Sequence, residues 1–134
     1  MTTITAFTAR TNHTFATRPL TPLLDGSTLN AIRETIGART VTAVDARVCG
    51  EPVTLWLDDE ALLTGEPVVN LAATRLLFEL LEEGQTLRQP LFGECVITGF
   101  DPETGETVAL SERAVAELQG LAEAIAPLLP VPAE

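Results

Sequence analysis

Apolar and polar positions change period several times along this chain, and the changes outline its elements. Thr2 to Ala9 alternates and is rich in β-branched residues, which suits a first strand. From Arg10 to Asp25, Pro19, Pro22 and several threonines break both the strand and the helix period, so a long connection is expected there. Ser27 can cap a short helix with Leu29, Ile32 and Ile36 on its apolar side, and Gly37 supplies the stop. Thr40 to Val48 and Pro52 to Leu57 both alternate, and the "CGEP" between them, with Gly50 in the middle, reads as the turn of an antiparallel hairpin.

The later segments follow the same habits. Pro67 fits the first turn of a helix from Val69 to Glu83, where Leu71, Leu76, Leu77, Leu80 and Leu81 make a broad apolar stripe and Gly84 ends it. Gln85 to Phe92 reads as a loop and Gly93 to Phe100 as a strand. The "DPETGE" turn, with Gly105, leads to a partner strand at Val108 to Leu110. Ser111 caps a last helix carrying Val115, Leu118, Leu121, Ala122 and Ile125, which Pro127 and Pro130 terminate. The fold class is α+β: a small mixed or antiparallel sheet, built from two hairpins plus an N-terminal strand, packed with about three helices. Residues 1–26 form the strand and an irregular lead-in, 27–126 a single α+β domain, and 127–134 a flexible Pro-rich tail.

Composition narrows the function more than the fold. A chain of 134 residues with 46% hydrophobic residues can build its own core without disulfide or metal. The formal charge of -11 disfavours nucleic-acid phosphates and anionic membrane surfaces as partners, since both call for a basic patch. All eight basic residues are arginine, so the imbalance owes more to missing bases than to the 19 acids. The amino terminus lacks the basic start and apolar run of a signal peptide, and no run approaches the ~18 residues that span a bilayer, so a cytoplasmic location is expected. Cys49 and Cys95 have no metal-ligand spacing and are expected to sit reduced on strands. Trp56, in mid-strand, reads as a core or sheet-covering aromatic, and His13 as a surface residue.

Candidate chemistry is sparse. One histidine, no lysine, no tyrosine, no Gly-rich phosphate loop and no nucleophile elbow leave most acid-base and nucleophilic schemes without their residues. No enzymatic role and no cofactor are expected. Carboxylate chemistry remains: Asp58, Asp59 and Glu60 could bind a hard cation if further carboxylates reached them. As three consecutive acids at a strand end they do not all point one way, and a solvated acidic turn is the plainer reading. Glu79, Glu82 and Glu83 crowd the carboxyl end of a helix, where negative charge opposes the dipole. They form a solvated face or an acidic contact surface for a basic partner.

Three pieces, "STLNAIRETIGARTVTAV", "VTLWLDDEALLTGEPVVNLAAT" and "LFGECVITGFDPETGETVALSE", taken in that order, resemble the family named domain of unknown function 3846. Gly37, Glu60, Gly65, Pro67, Asn70, Ala73, Gly93 and Gly105 fall at the positions of its motifs. The family usually has Asn-Glu where this chain has Asp58-Asp59, and Gly-Gly where it has Gly37-Ala38. The resemblance implies association with bacteria, phages and plasmids, and brings no activity or catalytic residue. The leading expectation is a non-enzymatic accessory domain that acts through protein contacts, a homodimer among them. The alternatives are a DNA-mimicking anti-restriction protein and a carboxylate-dependent metal-binding protein. Asn70 is open between bonding backbone across its turn and lining a small polar site.

Overall fold

The computed structural model describes residues 3–21, 28–63, 67–82, 84–87 and 89–130. Ser27, Gly65 and Glu83, named above as cap, turn and acidic-surface residues, lie outside them. Six strands form one sheet: β1 (Ile4–Ala9), β2 (Phe15–Leu20), β3 (Val41–Val48), β4 (Glu51–Asp58), β5 (Cys95–Asp101) and β6 (Glu106–Val108). The order is β2-β1-β5-β4-β3, with β6 added on β5 and every pairing antiparallel. Three helices, α1 (Thr28–Ile36), α2 (Leu71–Leu80) and α3 (Glu112–Ile125), complete an α+β fold.

β5 organises the sheet. β4 lies along it from Cys95 to Gly99, β1 faces Cys95 to Ile97, and β6 faces Gly99 to Asp101. With β4 on one side, β1 and β6 share the other, end to end. This explains why the second strand of that hairpin is Glu106–Val108 and not Val108–Leu110. β1 already holds the continuing edge, so the chain peels away, and the Leu110 amide donates to the Thr5 carbonyl at 2.9 Å. Gly99 permits the crossing, since a Cβ there would stand 2.5 Å from the carbonyl oxygen of Ala109.

β2 lies inside the segment expected to be a long connection, and the sequence hides it for a physical reason. Alternation is visible only where one strand face is buried, and in "FATRPL" Ala16, Thr17, Arg18 and Pro19 are all exposed, with Leu20 alone buried. Its partner defines it, in a register running from Ile4 opposite Leu20 to Ala9 opposite Phe15. The sheet therefore contains three hairpins rather than two.

The two faces carry separate cores. Phe7, Leu55, Leu57 and Ile97 pack with α2 and α3, while Ala6, Leu20 and Val96 pack with Ile32 and Ile36 of α1. Trp56 covers the sheet on the α1 side, and its indole N–H donates to the Thr98 hydroxyl at 2.9 Å. Within α1 the buried positions are Ala31, Ile32 and Ile36; Leu29 points outward.

Helix α2 is shorter than its apolar run. It begins after Asn70, leaving Pro67 upstream of its first turn, and stops where Leu81 turns into extended backbone and packs beside the core. Its buried line is Ala72, Ala73, Leu76 and Leu77, with Leu80 and Leu81 half-buried and Leu71 exposed. Ser111 caps α3, accepting the Ala114 amide at 3.0 Å. Cys95 lies on a strand, but Cys49 does not: with φ of 53° it forms, with Gly50 at 77°, the two-residue turn between β3 and β4. Two successive positive φ values are the twist-matched way to close such a hairpin.

Candidate functional site

The acidic stretch ends β4 in a turn of its own making. The Asp58 carboxylate accepts the Glu60 amide at 2.9 Å, and the Asp59 amide donates to the Thr40 carbonyl at 3.1 Å. The Glu60 carboxylate accepts from the Arg39 guanidinium, whose Nη2 donates to both oxygens at 2.9 and 3.0 Å and whose Nε donates at 3.1 Å, and it takes the Thr40 hydroxyl at 3.1 Å. Those partners, Arg39 foremost, hold the Glu60 carboxyl below its ordinary range. The nearby Glu94 is engaged by Arg10 at 2.7 Å and by the Thr11 amide. Among the described residues no group of three or more His, Cys, Asp or Glu is arranged to hold a metal ion.

Asn70 occupies a different kind of place. It is fully buried, and its side-chain amide donates to the carbonyls of Ala9 and Gly93, each at 2.8 Å, while its oxygen accepts the Ala73 amide at 2.8 Å. Its backbone amide donates to Leu91, and its carbonyl accepts the Thr74 hydroxyl, which in turn accepts the Leu91 amide. One neutral side chain thus fastens the end of β1, the start of α2 and the approach to β5. Gly93 bends that approach with φ of 80°, its amide bonded to the Val68 carbonyl. Of the other motif residues, Gly37 closes α1 and Gly105 sits in the β5–β6 turn, both with positive φ, and Pro67 is exposed. The motif brings Asn70 and Gly93 together and leaves Gly37 and Gly105 as separate turns.

Glu79 and Glu82 have separate partners. Glu79 pairs with Arg75 one turn earlier at 3.4 Å, and Glu82, beyond the helix end, faces Arg47 at 3.9 Å. Burial pushes the Cys95 thiol far up, with the Glu94 charge adding to the shift, so it stays protonated and unreactive.

Two concavities flank α2. One, of about 530 Å³, lies between its carboxyl end and the β3–β4 hairpin, with Val44, Ala46, Leu77 and Leu81 inside and Arg47, Glu82 and Gln85 at the rim. The other, of about 380 Å³, runs between the outer side of α2 and the chain at Leu128–Pro130. Leu71 and Phe78, seven residues apart and so nearly aligned along the helix, stand on the side opposite the buried line. They are 38% and 53% exposed, and Leu128 across the groove is 69% exposed, with the Arg75 guanidinium 5.3 Å over the Phe78 ring. Sequence reasoning missed Phe78 and Leu128 and assigned Leu71 to the core. The available signal was a stripe too wide for one helix face.

No helix among the described residues is long and apolar enough to cross a membrane. A family profile described as "Domain of unknown function (DUF3846)" matches residues 10–123, a span that includes Asn70, Gly93 and the whole of α2. No curated protein and no solved structure matches the chain.

Proposed function

We propose that this chain, which belongs to the domain of unknown function (DUF3846) family, is a cytoplasmic protein-interaction module without catalysis of its own. It would seat an apolar segment of a partner protein in the groove along the outer side of α2. The carrying observation is the line of Leu71 and Phe78 facing Leu128, large apolar side chains held in the open around a concavity. Contiguous exposed apolar surface with an aromatic and an arginine at its centre is the composition of a binding hot spot. A partner with a basic flank would suit the acidic surroundings. The family resemblance suggests an accessory role for a mobile element.

The described acids do not line one face, which weakens the DNA-mimic alternative. Glu34 lies on α1, while Glu79, Glu117 and Glu123 belong to the helices packed on the other side of the sheet. A photo-crosslinking residue at position 78, expressed in the full chain in its native cell, tests the groove. A discrete protein adduct is expected, and it should be lost when Leu71→Asp is added. Labelling no stronger than from a control position such as Glu34 would overturn the proposal.

A further inference from the structure

We propose that the free edge of β3 pairs antiparallel with β3 of a second copy of this chain, about a dyad at Ala46, so that one sheet runs through the dimer. This rests on the protein-contact reading but uses a different surface from the α2 groove.

β3 is an eight-residue edge strand, and its register with β4 runs without a bulge from Val41 opposite Asp58 to Val48 opposite Glu51. The two-residue turn makes Val48 and Glu51 a hydrogen-bonded pair, and such pairs alternate along an antiparallel ladder. Arg47, Asp45 and Ala43 therefore direct their amides and carbonyls away from β4. Pro52 agrees with this, for it stands opposite Arg47 and has no amide hydrogen to give. Among the described residues no hydrogen bond is made to those outward groups.

The two edges of the sheet are unlike. At β2, Pro19 removes a donor from the edge strand, a common protection against unwanted pairing. β3 carries no proline and no inward charge, and its charges are arranged to match themselves. Asp45 and Arg47 are two residues apart and so share a face. A dyad at Ala46 sets Asp45 of each copy opposite Arg47 of the other, and both residues present outward backbone, as a hydrogen-bonded pair requires. On the opposite face Ala46 meets its own image, and Val44 falls in register with Val48, which the core of its own copy already buries. Centring on Asp45 would oppose like charges, and centring on Val44 would set Arg47 against Val41. Only the Ala46 register satisfies charge and backbone together. Arg47 gives up little to form it: it now bonds the Gly50 carbonyl and lies 3.9 Å from Glu82 on an exposed surface.

Sedimentation equilibrium of the full chain tests this with charge swaps. The wild type is expected to dimerise. Asp45→Arg alone and Arg47→Asp alone should each weaken association at least about tenfold, because each opposes like charges at both cross-strand positions. The double swap D45R/R47D should restore the dimer, which a merely misfolded variant could not do, and circular dichroism of each variant checks the fold. A monomeric wild type, or a dimer indifferent to the single swaps, would overturn the β3 pairing. A dimer dissociated by Phe78→Asp but not by the swaps would also overturn it and assign self-association to the α2 groove. Loss of groove crosslinks with the β3 dimer intact would instead overturn only the groove reading.

Discussion

Asp58–Glu60 and Asn70 lie on either side of one short segment, and they use polarity in opposite ways. The acids bring three charges to the surface, where they bond their own turn and the adjoining Arg39 and Thr40. Asn70 brings no charge, yet its amide is wholly buried and joins three segments distant in sequence. A buried polar group costs much when left unpaired, whereas exposed ion pairs contribute little. What organises this fold is therefore the quiet residue and not the conspicuous cluster.

The largest effect should come from Asn70→Ala. It removes the cap of α2 and leaves the carbonyls of Ala9 and Gly93 without that donor, so a loss of about 3 kcal/mol is expected in urea denaturation. The same variant should expose Cys95, two residues beyond Gly93, to thiol reagents under native conditions. In the wild type Cys95 should stay unlabelled while the half-buried Cys49 reacts. If Cys95 remains protected in a folded Asn70→Ala protein, the junction does not hold β5 in place. Gly93→Ala should cost about 1 kcal/mol, because its φ of 80° is unfavourable for a side chain, although the nearest atom to a new Cβ is 3.5 Å away.

Glu60→Gln should give the smallest change. The folded-state pKa of Glu60 is lowered, so its contribution is present above the ordinary value of 4.5 and is lost as pH falls through the folded value. Stability of the wild type should fall more steeply than that of the variant in that acidic window, and the two should coincide below it apart from a constant offset. Adding Mg²⁺ or Ca²⁺ at neutral pH should leave the melting temperature of both unchanged. A rise confined to the wild type would return the acidic turn to consideration as a cation site.

Legibility in the sequence followed burial. β3, β4 and β5 announced themselves because each has at least one packed face, and Ser111 because its cap precedes a well-formed amphipathic helix. β2 was silent, since four of its six side chains face solvent. The acidic turn reads as a solvated one from the sequence itself, because adjacency in sequence does not make side chains converge. Asn70 was legible as a motif residue with its role open, since its partners Ala9 and Gly93 are backbone carbonyls, which no residue pattern displays. The outer side of α2 was absorbed into the core because a leucine-rich helix does not say how many of its leucines the sheet can cover.

The position of β5 at the centre of the sheet also sets a timetable. Phe7, near the amino terminus, must find Ile97 before the sheet closes, and β4 reaches β1 only through the same strand. During synthesis the N-terminal hairpin and the β3–β4 hairpin leave the ribosome as two pieces whose inner edges are both uncovered until β5 follows. Pairings so far apart in the chain close slowly. The nascent protein should accordingly be most open to proteases and chaperones just before β5 emerges.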